Sequence, residues 1–168
     1  VIAIGAPYNG GNGTASGHVR IYQNIDGTWT QVGDDIDGEA AGDYSGVSVS
    51  LSGDGSKVAV GTLYNDGNGD NAGHTRVFKN VNGAWIQIGA DIDGEAAYDM
   101  SGYAISLSDD GAIVAIASPF NDSNGSNNGH VKIYKNVNGV WTQLGESIQG
   151  QAEDDVSGFS INLSGDGS

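Results

Sequence analysis

The chain has 168 residues, 21 of them acidic against six basic, and a formal charge of −15. Such a surface repels nucleic acid and anionic membranes and suits a salty or calcium-containing medium. Cysteine is absent, which excludes disulfide staples, thiol nucleophiles and cysteine-based metal sites, and no apolar run approaches the roughly 18 residues of a membrane helix.

The sequence opens without Met on the strand-like Val1-Ile2-Ala3-Ile4 and shows no signal-peptide pattern. It reads as a piece of a longer protein, or as one from which a leader has been removed. Its 29 glycines recur at fixed places between apolar alternations, as turns do in an all-β fold.

The first complete unit begins with a strand at Gly46–Leu51, where Val47, Val49 and Leu51 alternate with Ser48 and Ser50. An Asp54-Gly55 turn leads to the second strand, Val58–Gly61, again large against small. A long Asn/Gly/Asp loop, Asn65–Gly73, precedes the third strand, His74–Phe78. Asn82-Gly83 then turns tightly into the fourth, Trp85–Ile88. Asn-Gly and Asp-Gly between alternating runs specify hairpins, because these residues tolerate the positive φ of type I′ turns. No segment carries a capped 3.6-residue period, so no helix is expected.

The unit recurs every 56 residues without insertion or deletion. Gly17-His18 returns as Gly73-His74 and Gly129-His130, Trp29 as Trp85 and Trp141, and Ser45-Gly46 as Ser101-Gly102 and Ser157-Gly158. Across the copies 1–56, 57–112 and 113–168, 21 of 56 columns are identical. Four short antiparallel strands in a strict repeat of this length describe a β-propeller blade. A parallel β-helix needs shorter rungs, and a sandwich does not demand a strict period. The chain is therefore expected to be all-β, one propeller segment of three repeats, with blades offset from the repeat cuts.

The alternation also predicts how blades stack. Val47, Val49 and Leu51 correspond to Tyr103, Ile105 and Leu107 and to Phe159, Ile161 and Leu163, while the opposite face carries Ser48 and Ser50 or Ala104 and Ser106. Neither face is charged, so both are expected to be covered. The bulky face of one blade should lie on the small face of the next.

At Ser45-Gly46, Asp54-Gly55 and Gly5-Ala6-Pro7 the sequence resembles the FG-GAP repeats of integrin α-chain propellers and their bacterial surface-protein relatives. Ser replaces the family's Phe before Gly in all three copies, and Gly-Ala-Pro is degraded to Gly61-Thr62-Leu63 and Ala117-Ser118-Pro119. The resemblance implies a calcium site in the first hairpin. The equivalent loop, Ser52–Ser56, offers a single carboxylate where calcium takes six to eight oxygens. That site is expected to be lost, leaving Asp54, Asp110 and Asp166 as turn-formers.

Other loops are richer in oxygen. Asp35, Asp37, Glu39 and Asp43 are matched by Asp91, Asp93, Glu95 and Asp99, and the third copy weakens to Ser147, Gln149, Gln151 and Asp155. These loops, and Asn65–Asp70, are candidates for weak extracellular-type calcium binding, against the alternative of Asx turns capping their own backbone. His18, His74 and His130 have no second His or Cys nearby, and a hydrogen bond to loop backbone accounts for their repetition. Trp29, Trp85 and Trp141 are either a sugar-stacking platform or packing between blades. Arg20, Arg76 and Lys132 share one column and are expected to pair with Asp43, Asp99 and Asp155.

No nucleophile elbow, phosphate loop or unique His–carboxylate cluster is present, so no enzymatic activity is expected. The sequence points to an extracellular or cell-surface module for adhesion or structural assembly, with a carbohydrate-binding lectin as the alternative. Three blades are fewer than the roughly four to eight of propeller rings. The first-strand sequence Gly158–Leu163 lacks a hairpin partner within the chain, and so does Ile2–Ala6. The expected partners are other copies of the chain or further blades, in a ring or a filament, and beyond those glycans or surface proteins.

Overall fold

The tight turns are built on residues at positive φ. Asn82 and Gly83 have φ of 55° and 92°, and the equivalent pairs Asp26-Gly27 and Asn138-Gly139 repeat this within a few degrees. Both central residues of a type I′ turn require that sign. In each copy an Asn side chain three residues before the turn glycine accepts its N–H, as Asn80 does from Gly83 at 3.0 Å.

The computed structural model describes residues 1–168 as fourteen strands and no helix. β1 (Ile2–Ala6), β2 (His18–Ile25) and β3 (Thr28–Gln31) form an antiparallel sheet, with the short β4 (Ile36–Asp37) on β2. β5 (Ser45–Leu51), β6 (Lys57–Thr62), β7 (His74–Val81) and β8 (Ala84–Gln87) form the second, with β9 (Ile92–Asp93) on β7. β10 (Ile105–Leu107), β11 (Ile113–Ser118), β12 (His130–Val137) and β13 (Val140–Gln143) form the third, with β14 (Ile148–Gln149) on β12. These are propeller-like blades, the second of which runs from Ser45 to Asp93.

Three details differ from the sequence reading. The third strand of each blade runs eight residues instead of five, because its second half pairs with the fourth strand and its first half with the two-residue fifth strand. That fifth strand is too short to show a period. β10 begins at Ile105 instead of Gly102. Gly158–Leu163 forms no ladder, since these residues would pair with a fourth second-type strand. They are held on the third blade by Leu163 N–H to Ser106 Oγ at 2.9 Å and Asp109 N–H to the Gly165 carbonyl at 2.8 Å.

The cores lie between blades. Val58, Val60 and Phe78 of the second blade bury against Val19, Ile21 and Ile36 of the first. Ile105, Leu107, Val114 and Ile116 of the third bury against Ala59, Val77 and Ile92 of the second. The bulky face does lie on the small face of its neighbour. The serines of that small face also hydrogen-bond forward, Ser48 Oγ to the Gly102 carbonyl at 2.6 Å and Leu107 N–H to Ser50 Oγ at 3.0 Å.

Glycines face one another where the blades touch, Gly5 against the Gly46 carbonyl and Gly61 against that of Gly102. A Cβ on Gly61 would stand 2.1 Å from the Gly102 carbonyl oxygen of the next blade, a backbone atom that cannot rotate away. Gly61→Ala should therefore cost about 1–3 kcal/mol through overpacking, read as a lower urea midpoint with an unchanged m-value.

Candidate functional site

The two blade junctions within the chain are built alike. The tryptophan opening the fourth strand crosses the gap, with Trp85 Nε1–H donating to the Val32 carbonyl and Trp141 Nε1–H to the Ile88 carbonyl, each at 2.8 Å. The indoles thereby satisfy a buried donor while packing on the preceding blade. Trp29 occupies the same column on the first blade and is 54% exposed. With Ile2, Ile4 and Tyr22 it lines an apolar groove of about 310 Å³. The corresponding residues Val58, Val60 and Phe78 are buried.

The basic column takes partners other than those expected. Arg76 and Lys132 are 6% and 8% exposed and reach back across the junction. Arg76 Nη1 lies 3.3 Å from Glu39 Oε1, and its Nη2 donates to the Asp37 carbonyl at 2.8 Å. Lys132 Nζ pairs with Glu95. Arg20 instead folds onto Asp35 of its own blade through Nε and Nη2, with Nη2 to Oδ2 at 2.8 Å. The acids assigned to these cations are used elsewhere. Asp43 and Asp99 are buried, accept the N–H of Ala40 and Ala96, and receive the side-chain amides of Asn65 and Asn121 from the following blade. Asp155 accepts the N–H of Gln151 and Ala152.

The acidic loops divide in the same way. Asp35 is held by Arg20 and Gln31, and the Arg20 hydrogen bond draws its carboxyl below the ordinary range. Asp93 is pushed upward, by burial first and then by the charge of Asp91. The ligand atoms that fall within 4.8 Å of one another form two groups, His18–Asp35–Asp37 and Glu39–His74–Asp91. Asp43 and Asp99 belong to neither.

The first hairpin does not fit the calcium ion that the family resemblance implies. Asp54 accepts from Ser56 N–H and from the hydroxyls of Ser52 and Ser56 at 2.7–2.9 Å. These bonds, the backbone one foremost, hold its carboxyl down at about 2. It closes its own turn, as the sequence suggested.

The histidines do not cap loop backbone. His18 Nδ1 lies 3.3 Å from Asp35 Oδ2, and neither nitrogen of His74 has a hydrogen-bond partner. His130 Nδ1 is also without one. The third strand carries these rings inward, under the junction loops, which no local pattern reveals.

Two outcomes follow from this geometry. Trp141→Phe keeps the ring packing but strands the Ile88 carbonyl, and should lower unfolding stability by about 1 kcal/mol. For His74, burial first and Arg76 second lower the pKa from 6.5 to about 4, against the opposing charge of Asp91; Glu39 also lies nearby. The unfolded chain then binds the proton at higher pH than the folded one. The stability held by the neutral ring is complete above pH 6.5 and falls as pH drops towards about 4. Urea titrations across that window should show the slope, and His74→Gln should flatten it.

Residues 35–78 match the FG-GAP repeat model, a span from the end of the first blade into the third strand of the second. No curated protein matches the chain significantly. Among solved structures, a candidate 6-phosphogluconolactonase from Bacteroides uniformis superposes with a TM-score of 0.52 at 15% identity, covering 84% of this chain and 36% of that one. The chain thus spans little more than a third of that protein's length, and at such identity the likeness is one of fold. Residues 35–78 are thus similar to an FG-GAP repeat, and the three antiparallel sheets are those of β-propeller-like blades.

Proposed function

We propose that the chain is an extracellular or cell-surface assembly module, in which the first blade of one copy seats on the third blade of another. One observation carries this reading. On the face formed by Ile2, Ile4, Tyr22 and Trp29, Ile2, Ile4 and Trp29 are exposed and Tyr22 is half-buried, while the same columns of the other two blades are covered. The surface that would cover it is present in the same chain. Leu144 and Ile148, at 47% and 59% exposed, occupy the columns of Val32 with Ile88 and of Ile36 with Ile92, which form the receiving side of the internal junctions.

The joint would repeat the internal one. Trp29 Nε1–H would meet the Leu144 carbonyl, as Trp85 meets Val32 and Trp141 meets Ile88. The unladdered segment would add to β1 as its missing first strand. By the register of β5 on β6, Ser160 would face Gly5, Ile161 Ile4, Asn162 Ala3 and Leu163 Ile2. Strand addition of this kind removes exposed edges. A closed two-copy ring of six blades and an open filament are the two geometries of such a heterologous contact. Adhesive or structural roles suit it, because they need a repeating, acidic, chemically inert surface. The repeat, with no nucleophile elbow and no phosphate-binding loop, supports a non-enzymatic role.

Sedimentation and light scattering test the proposal. Complexes of two or more copies are expected, and Ile4→Glu should return them to single chains by placing a charge on the joint. A monodisperse 17.1 kDa particle would sink it.

A further inference from the structure

From the geometry of the first junction we infer a binding site for a divalent transition-metal ion of the zinc type, formed by Glu39 of the first blade with His74 and Asp91 of the second. The three ligand atoms lie within 4.8 Å of one another. His74 Nδ1 stands 3.7 Å from Asp91 Oδ2. Tetrahedral ligands about 2.0–2.1 Å from zinc are about 3.4 Å apart, so this pair is nearly at coordination spacing. Glu39, 45% exposed at its side chain and paired with Arg76 through Oε1, has its other oxygen to close the remainder.

The independent sign of a ligand is His74 itself. Its side chain is 1% exposed, yet neither ring nitrogen has a hydrogen-bond partner. A buried polar atom without a partner is costly, and coordination would satisfy Nδ1. The carboxylates are each fixed by one oxygen and leave the other available. Gln87 Nε2 donates to Asp91 Oδ1 at 2.6 Å, leaving Oδ2 towards the imidazole. Arg76 Nη1 holds Glu39 Oε1 at 3.3 Å. Such outer hydrogen bonds are the usual means of orienting metal-bound carboxylates.

The chemistry selects the ion. One imidazole with two carboxylates suits zinc and its first-row neighbours, whereas calcium takes oxygen alone and more of it. The site joins two blades, so the ion would clip the junction. The equivalent places differ. At the second junction Ser147 stands in the column of Asp91, leaving His130 with Glu95. On the first blade Arg20 grips both oxygens of Asp35. One ion per chain is therefore expected.

Calorimetric titration of the chelator-treated full chain with Zn²⁺ tests this, alongside thermal unfolding with and without the ion. The expected result is one site per chain and a raised melting temperature, with affinity at least tenfold weaker in Asp91→Asn and in His74→Ala. Asp91→Asn keeps the shape of a partly exposed side chain and serves if His74→Ala fails to fold. Ser147→Asp should raise the stoichiometry to two, a gain that a purely structural role for these residues would not produce. Absence of Zn²⁺ binding, affinity unchanged by Asp91→Asn, or calcium binding as tightly at the same residues would each overturn the assignment.

Discussion

A single β-sheet is one layer thick, so its apolar side chains leave water only when another sheet covers them. Everything else in this protein depends on that constraint. Both hydrophobic clusters are shared between blades, with Val58 and Val60 resting on Val19 and Ile21, and Ile105 and Ile116 on Ala59 and Val77. No blade has an interior of its own. Stability in such a stack is close to a sum of neighbour contacts, and the first and last faces of any segment carry the same apolar columns as the buried ones.

The polar parts of the junction follow from the same stacking. The sheets approach closely at Gly5 and Gly46 in the first junction and at Gly61 and Gly102 in the second, and the third-strand cations of the later blade reach back to acids of the preceding one. Arg76 and Lys132 are nearly buried there, and a buried charge is tolerated only with a partner. Glu39 and Glu95 supply it from across the gap. Asp43 and Asp99 instead cap their own loops and hold the asparagine of the next blade. The junction is thus knit by residues from both sides at three levels: the apolar face, the Trp–carbonyl bond and the cross-blade charges.

The backbone stores strain near these contacts. Tyr44, Met100 and Val156 share one column and all adopt φ between 50° and 57°, a region costly for bulky or β-branched side chains. The N–H of the following serine bonds the carbonyl of Ser16, Ala72 or Asn128 in each copy. Those bonds place Gly17 or Gly73 beside the next blade's first strand and hold the strained residue in position.

The sequence by itself determined the blade, its four principal strands, its turns and the two-faced alternation that stacks one blade on another. These are local or strictly periodic properties, carried by Asn-Gly and Asp-Gly dipeptides, by Val-Ser and Val-Ala alternation, and by identical columns 56 residues apart. Asp54 was legible as a turn-former for the same reason, since its partners lie two residues away. The tertiary structure alone decided which residues meet across a junction. Arg76 and Glu39 are 37 positions apart, a spacing that belongs neither to the repeat nor to any strand or turn. Pairing within one unit, Arg20 with Asp43, looks equally reasonable until the next sheet is in place. The burial of His74 beside Asp91 and Glu39 was hidden likewise, because the fifth strand that positions Asp91 is two residues long and the third acid comes from another blade. Periodicity reports what each residue shares with its copies, and packing decides what it touches.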